Sequence, residues 1–202
     1  MSLSPPPLDE IFRQKGYSLI AGVDEAGRGP LAGPVFAAAV ILPADTDLSL
    51  PLDSKKFSAN RRLELYDRIK SQAVSWSVAC IDETEIDRIN ILQASLKAMV
   101  EAVKDLSLTP EMILVDGSRT PFVDSHSRAV TKGDSRSLAI GAASILAKVE
   151  RDRIMREHHA RYPQYGFDRH KGYGTKEHRQ AIAEHGPCAI HRKTFRGVKE
   201  YL

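Results

Sequence analysis

The chain has 202 residues, of which 42% are hydrophobic and 27% are charged, and its formal net charge is +3. This length suits one domain that buries roughly 70% of the surface of the unfolded chain, which argues against disorder and against a fibrous fold. No apolar run approaches the ~20 residues of a membrane span, and residues 1–7 do not resemble a secretory signal. Two cysteines, Cys80 and Cys188, suggest neither a disulfide framework nor a cysteine zinc site. We therefore expect a cytoplasmic protein without membrane contact.

The charges are distributed unevenly along the chain. Residues 148–200 hold 13 Lys and Arg against 7 Asp and Glu, which gives +6, whereas residues 1–147 carry −3. A basic C-terminal quarter beside an acidic remainder suits an anionic partner that is brought to an acidic centre. A solvated helix surface would give the same pattern, so the charges alone leave both interpretations open.

Apolar runs and turn residues alternate through the first part of the chain. Residues 18–23 and 35–42 predict buried strands, and residues 27–34 between them are too rich in Gly and Pro for regular structure. Ser58 is placed to cap a helix. Residues 74–80 alternate apolar with small side chains, which predicts a strand covered on one face. The apolar side chains of that face are Val74, Trp76, Val78 and Cys80.

The middle of the chain predicts helices around two short strands. Asp82 with Glu85 resembles a capping box that opens a helical stretch. Residues 112–115 predict a strand, residues 128–131 predict a weaker one, and residues 135 to about 159 predict a long helix. Before the first of these strands lies an amphipathic stripe formed by Leu92, Leu96, Met99, Val103 and Leu106.

The order of the elements indicates the fold class. Pro163 ends the long helix, and after a Gly- and Tyr-rich loop Thr175 can cap a last helix. Strands that alternate with helices predict an α/β domain with helices on both faces of the sheet. We expect a lead-in over residues 1–16 and one domain over residues 17–202, whose helical C-terminal subdomain begins at about residue 154.

Acidic side chains follow two of the predicted strands. Asp24 and Glu25 stand where the first strand ends, Asp116 ends the strand at residues 112–115, and Asp134 precedes the long helix. Carboxylates from the ends of separate strands can meet at one edge of a sheet. Oxygen ligands of this kind suit Mg²⁺ or Mn²⁺ and are typical of two-metal phosphoryl transfer.

Each of these acids also has a structural interpretation. Asp134 could be the N-cap of the long helix, and Asp116 could be a turn former. Asp24 and Glu25 are harder to explain in this way, because two acids after a buried strand are costly without a partner. Spacing alone leaves both interpretations open.

Two loops offer groups that could bind nucleic acid. The turn Gly27-Arg28-Gly29 has a backbone that a ligand can approach closely, but taken alone it is better explained as a tight turn. Residues 53–56, which include Ser54 and Lys55, offer a hydroxyl and two ammonium groups for phosphate contacts. Exposed lysines are usually only solvated, so this loop is a weak signal by itself.

The stretch of residues 162–175 interleaves aromatic rings with cations. Rings that stack on bases or sugars, among cations that hold phosphates, are typical of a nucleic-acid surface. A small aromatic core under a basic rim is the alternative. Six of the seven histidines follow residue 157, but no pair has a spacing that suggests zinc. The rings and cations of the stretch are Tyr162, Tyr165, Phe167 and Tyr173 with Arg161, Arg169, His170 and Lys171.

Together these segments closely resemble the type 2 ribonuclease H (ribonuclease HII) family. The resemblance runs from about residue 17 to residue 197, which is nearly the whole chain. The segments that carry it, in the order of the family, are VDEAGRGPLAGPV (23–35), DSKK (53–56), LVDG (114–117), KGD (132–134), AASILAKV (142–149), YGF (165–167), HKGYGT (170–175) and HR (191–192).

The resemblance implies a ribonuclease H-like fold, in which helices flank a central mixed sheet and a helical part follows. It implies an endonuclease that cuts RNA in RNA–DNA hybrids and cuts 5′ to single ribonucleotides in duplex DNA, leaving 3′-hydroxyl and 5′-phosphate ends. Asp24, Glu25, Asp116 and Asp134 would be the catalytic carboxylates that hold Mg²⁺ or Mn²⁺. We expect a monomer, and the sequence identifies no protein partner.

The resemblance also assigns substrate contacts. The Gly27-Arg28-Gly29 backbone would sense the ribose 2′-hydroxyl, the group that distinguishes RNA from DNA. Tyr173 would stack on the sugar at the DNA side of the junction, and Ser54 and Lys55 would hold backbone phosphates.

Two other functions compete with this one. A hybrid-duplex binding module without catalysis would gain nothing from four carboxylates near phosphates. Another nuclease of the same fold would share the carboxylates, but it would have no reason to carry both the glycine turn and Tyr173.

Overall fold

The computed structural model describes residues 6–46, 57–123 and 126–202. Within these ranges its centre is a five-stranded sheet in the order β3-β2-β1-β4-β5. β1 pairs antiparallel with β2 and parallel with β4, while β3 pairs antiparallel with β2 and β5 pairs parallel with β4. The strands are β1 (Ile20–Ala26), β2 (Val35–Ile41), β3 (Ser75–Ile81), β4 (Met112–Asp116) and β5 (Ser127–Val130). The predicted α/β class with a mixed sheet is confirmed.

Helices cover both faces of this sheet. α5 packs on β1 and β2 together with α2, and α4 packs on the opposite face. The helices are α1 (Leu8–Arg13), α2 (Ala59–Gln72), α3 (Glu83–Ile89), α4 (Ile91–Lys104), α5 (Leu138–Arg161), α6 (Phe167–His170) and α7 (Lys176–His185). Ser58, Asp82 and Thr175 each accept a hydrogen bond from the backbone N–H three residues later, so the predicted caps of α2, α3 and α7 are confirmed.

The packing of α4 corrects two expectations. Its buried face is centred on Ala94, Ala98 and Ala102. The predicted stripe lies at the edge of this face: one of its side chains is fully buried, and three more are partly buried against the same core, namely Met99 and then Leu96, Val103 and Leu106. On β3 the face turned to α4 carries the small residues, and Cys80 is exposed. Small side chains let the helix approach closely enough for the Ser77 hydroxyl to donate to the Ala102 carbonyl. The side chains buried on β3 are Ser75, Ser77, Ala79 and Ile81.

The segment predicted as a lead-in contains α1, which packs on the core through Leu8 and Phe12. Its Asp9 carboxylate is buried and accepts hydrogen bonds from the Ser137 hydroxyl and from the N–H groups of Leu138 and Ala139. The N–H groups of Leu138 and Ala139 belong to the first turn of α5 and have no partner within the helix, so Asp9 stabilises the start of that helix.

The C-terminal helices enclose a core with a buried pair of histidines. His178 and His191 have their Nε2 atoms 3.0 Å apart. His191 Nδ1 accepts from the Cys188 N–H at 2.9 Å, so the tautomer of His191 that fits this contact donates from Nε2 to His178. His178 Nδ1 then donates to the Tyr173 carbonyl at 3.0 Å. Both imidazoles are therefore fully used in the neutral state. The two histidines are 13 residues apart in the sequence, so a search for zinc-ligand spacings does not reveal them as a pair.

This pair predicts a loss of stability in acid. Burial lowers the pKa of both His178 and His191 to about 4, against about 6.5 in the unfolded chain. The unfolded chain binds protons first, so the stabilisation is complete above pH 6.5 and is lost as the pH falls towards 4. We expect a loss of roughly 3 kcal/mol per histidine in the free energy of unfolding at pH 4.

Urea unfolding at several pH values tests this loss. The stability advantage of the wild type over His178→Asn should shrink between pH 6.5 and pH 4. Gln180→Asn, which changes an exposed and non-titrating residue of the same helix, should show a difference from wild type that does not vary with pH. An advantage over His178→Asn that stays constant across this range would contradict the prediction.

Candidate active site

Two parallel strands bring the first acidic residues together. Val23 of β1 lies opposite Val115 of β4, so Asp24 and Asp116 follow at the same edge of the sheet. β1 continues to Ala26 and β4 includes Asp116, so these acids lie in the last residues of their strands rather than beyond them. The Glu25 N–H donates to Asp24 Oδ1 at 2.7 Å, and Asp24 is buried.

The electrostatics of this edge favour a bound cation. Burial raises the pKa of Asp24 well above its usual range, and the negative charges of Glu25 and Asp116 raise it further. Burial also raises the pKa of Glu25, against the opposing effect of Arg28, which pairs with it at 3.2 Å. Buried carboxylate oxygens that repel one another fit a hard divalent cation such as Mg²⁺ or Mn²⁺. In the described ranges, however, no three His, Cys, Asp or Glu side chains form a ready-made metal cage.

Asp134 lies in a 3₁₀ turn (Gly133–Ser135) before α5. Asp134 is buried, and the neighbouring Gly133 N–H donates to Asp116 Oδ1 at 2.6 Å. A Cβ at Gly133 would lie 2.6 Å from Ile140 Cδ1 and 3.2 Å from Asp116 Oδ1, so a side chain here would displace Ile140 and crowd this contact. The N-cap of α5 is Ser137, which accepts from the Ile140 N–H, so the interpretation of Asp134 as that cap is wrong.

A cavity of about 410 Å³ opens beside these carboxylates. Seven of the ten predicted site residues line it, namely Asp24, Glu25, Asp116, Gly27, Arg28, Gly29 and Tyr173. Asp134 does not line it, although the neighbouring Gly133 contacts Asp116, and Ser54 and Lys55 lie outside the described residues. The cavity thus combines the acidic edge with the glycine turn and the tyrosine.

A second depression adjoins the same carboxylates on the side of α4. Its volume is about 290 Å³, and it shares Glu25, Arg28 and Asp116 with the first cavity while adding Arg119. The acidic edge therefore lies where two open depressions meet. An extended chain could cross it from one side to the other.

The glycine turn is held by a buried arginine. All five N–H donors of Arg192 bond to carbonyls of residues 27–34, at distances from 2.6 to 3.3 Å. Gly27 has φ +102°, and a Cβ there would overlap the Arg151 side chain. Glycine is therefore required at Gly27, and the interpretation of these residues as a tight turn is compatible with a role in binding. The carbonyls that Arg192 binds are those of Gly27, Arg28, Pro30, Gly33 and Pro34.

The aromatic stretch divides between core and surface. Tyr165 and Phe167 are buried and stack on each other, so they form the small aromatic core given as the alternative. Tyr173 is 46% exposed and lines the cavity. A Cβ built on Gly29 would lie 3.6 Å from the Tyr173 ring. Only Tyr173, of these three rings, is placed to meet a ligand.

Sequence reasoning assigned no role to several residues of the cavity. Ser144 hydrogen-bonds the Asp24 carboxylate and lowers its pKa. Lys148, Arg151 and Arg62 also line the cavity. Ser144 and Lys148 belong to the AASILAKV segment and Arg192 to the HR segment, so the motifs mark these positions but not their contacts.

Comparisons with known proteins place the chain in a family. The ribonuclease HII family model matches residues 21–198. Ribonuclease HII of Geotalea uraniireducens is 55% identical over 194 residues, which are 96% of this chain and 90% of the relative. Ribonuclease HII of Bacillus subtilis is 48% identical over 193 residues, which are 96% of this chain and 75% of the relative.

Solved structures agree with these matches. Ribonuclease H2 of Pyrococcus horikoshii superposes with a TM-score of 0.76 at 25% identity, over 90% of this chain and 96% of that one. RNase HII of Archaeoglobus fulgidus, solved in complex with PCNA, gives 0.73 at 28% identity, over 88% and 95% of the two chains. These likenesses confirm the predicted ribonuclease H-like fold. No helix in the described ranges is long and apolar enough to cross a bilayer. The chain therefore belongs to the ribonuclease HII family and is a metal-dependent endoribonuclease that cleaves RNA in RNA–DNA hybrids and at ribonucleotides embedded in DNA.

Proposed function

We propose that Asp24, Glu25, Asp116 and Asp134 hold the divalent ions of this reaction, either Mg²⁺ or Mn²⁺. The support for Asp24, Glu25 and Asp116 is an all-oxygen donor set at one edge of the sheet, where these carboxylates repel one another. The assignment of Asp134 rests on the resemblance and on the contact of its neighbour Gly133 with Asp116. When bound, such ions supply an activated water and offset charge on the phosphate. The protein's own part is to hold the carboxylates in place, through the Ser144 contact to Asp24 and the Gly133 contact to Asp116.

Recognition of ribose is assigned to the Gly27-Arg28-Gly29 backbone. The carbonyls of Gly27 and Arg28 point inwards to Arg192. Within the described part of the chain, the N–H groups of Arg28 and Gly29 donate to no protein acceptor. These N–H groups, beside the cavity, suit a ribose 2′-hydroxyl, which a deoxyribose lacks.

Tyr173 is assigned to the neighbouring deoxyribose. Its half-exposed ring stands beside Gly29, so a sugar next to the recognised ribose would meet its face. Such an arrangement favours a ribonucleotide followed by DNA, with cleavage on the 5′ side of the ribonucleotide and 3′-hydroxyl and 5′-phosphate ends. The assignment of Ser54 and Lys55 to backbone phosphates rests on the resemblance alone.

One observation carries this proposal: three carboxylates, the glycine turn and Tyr173 line a single cavity. A DNA duplex that contains one ribonucleotide should be cut at the phosphodiester 5′ to it in Mg²⁺ or Mn²⁺. EDTA should stop the reaction, and an all-DNA duplex of the same sequence should remain intact. The measurement is gel analysis of end-labelled strands.

The outcomes separate the competing functions. Equal cutting of the all-DNA duplex would contradict the ribose assignment and would indicate another nuclease of this fold. Binding of the duplex without any cut would indicate a binding module. Products with a 5′-hydroxyl would exclude the proposed chemistry, because they require the bond on the other side of the phosphorus to break.

A further inference from the structure

Arg151 of α5 connects the two loops to which substrate recognition is assigned. It is 1% exposed. Its Nε donates to the Pro34 carbonyl at 3.1 Å, and its Nη2 donates to the Ala32 carbonyl at 3.3 Å. The same Nη2 donates to the Lys171 carbonyl at 3.0 Å, two residues before Tyr173. One guanidinium therefore joins the glycine turn to the tyrosine loop.

Further contacts make this junction tight. The Arg151 guanidinium carbon lies 5.9 Å from the centre of the Tyr173 ring. The Leu31 N–H donates to the Gly172 carbonyl at 2.8 Å. A Cβ at Gly172 would lie 2.6 Å from the Ala32 oxygen, so the two loops touch backbone to backbone. The separation between the glycine turn and Tyr173 is therefore fixed by a few contacts centred on Arg151.

The chemistry of Arg151 suits a positioning role in addition to stabilisation of the fold. In the described ranges its partners are neutral carbonyls, and no carboxylate lies within ion-pair distance. Each of these hydrogen bonds satisfies a carbonyl of a loop, so Arg151, like Arg192, also stabilises the fold. Its planar fork can bind two loops at once, which the point charge of a lysine ammonium cannot reproduce.

We propose that Arg151 is a positioning residue that sets the spacing between the glycine turn and Tyr173, and that this spacing determines the preference for a ribose followed by a deoxyribose. The inference rests on the proposed function of these two loops. Arg151 acts through them and does not take part in bond cleavage. A continuous RNA strand offers no ribose-to-deoxyribose step at most of its cut sites, so its cleavage depends less on the spacing.

The test is Arg151→Lys, measured on two substrates. The ratio of kcat/KM for a duplex with one ribonucleotide to kcat/KM for a continuous RNA–DNA hybrid should fall at least about tenfold. Arg153→Lys is the matched control, because Arg153 is an exposed residue of the same helix whose side chain pairs with Glu150. It should keep the wild-type ratio. An equal loss on both substrates would overturn the proposal, because a structural defect does not distinguish them.

A double-mutant cycle with Tyr173→Ala completes the test. If Arg151 acts by placing Tyr173, then Arg151→Lys should change the ratio much less in the Tyr173→Ala background than in the wild type. Full additivity would overturn the proposal. Should Arg151→Lys fail to fold, Arg151→Gln is measured in its place, and failure of both variants to fold would show a structural role and also overturn it.

The same measurements distinguish the role of Tyr173 from the role of Arg151. If Tyr173→Ala leaves the ratio unchanged, the assignment of Tyr173 itself is wrong. If Tyr173→Ala lowers the ratio and Arg151→Lys does not, only the role of Arg151 is wrong.

Discussion

Asp116→Asn is expected to lose cleavage by about 10³-fold or more, which corresponds to several kcal/mol of charge stabilisation in the transition state. The substitution removes a negative charge from the acidic edge but keeps an oxygen at the same place. That oxygen can still accept the hydrogen bond that the Gly133 N–H donates at 2.6 Å. The turn that carries Asp134 should therefore stay in place, and the loss reports on the charge alone.

Two measurements besides activity check this result. Without metal, the Tm of Asp116→Asn should be no lower than that of the wild type, because one of the charges that raise the pKa of Asp24 is gone. The rise in Tm that Mg²⁺ produces in the wild type should largely disappear. Duplex affinity measured in EDTA should change little. Asp105→Asn, an exposed position at the end of α4, serves as the control, and cleavage by Asp116→Asn at the wild-type rate would contradict the assignment.

The meeting of Asp24 with Asp116 could be predicted from the sequence because each follows a short apolar strand. Parallel pairing of two such strands carries their final residues to one edge. The face of α4 could not be predicted in this way. Apolar periodicity is judged from large side chains. The residues of α4 that contact the sheet most closely are Ala94, Ala98 and Ala102, whose small size allows close approach.

The buried polar residues were beyond the reach of local patterns for a different reason. Arg151, Arg192 and His178 are charged or titratable types that are usually solvated, and nothing in their neighbours marks them as buried. Their partners lie far away in sequence: Arg192 binds carbonyls 158 to 165 residues earlier, and Arg151 binds carbonyls 117 and 119 residues earlier. These arginines are buried because the carbonyls of residues 27–34 need hydrogen-bond donors. That need arises only when the C-terminal part of the chain folds against this loop.

Arg192→Met is expected to have the largest effect on stability, because it removes the donors that the carbonyls of residues 27–34 require. Arg192 is 0% exposed, and its five N–H groups satisfy five carbonyls of one loop. Methionine fills part of the space but donates nothing. The Pro34 carbonyl keeps its bond from Arg151, and the other four carbonyls lose their partner at about 1–3 kcal/mol each unless water replaces it. We expect the free energy of unfolding to fall by about 4–5 kcal/mol, a large part of the 5–15 kcal/mol of a typical domain.

Arg192→Lys and Lys193→Met separate the causes of this loss. Lysine keeps the charge but has three donors at one point, so it can satisfy only part of the loop, and we expect a loss between wild type and Arg192→Met. Lys193 is the next residue and is exposed, so Lys193→Met should change stability by less than about 0.5 kcal/mol. Urea unfolding at pH 7.5 gives all three values. Equal stability of Arg192→Met and Lys193→Met would mean that solvent or a rearranged loop replaces the five donors, and that Arg192 does not hold the glycine turn.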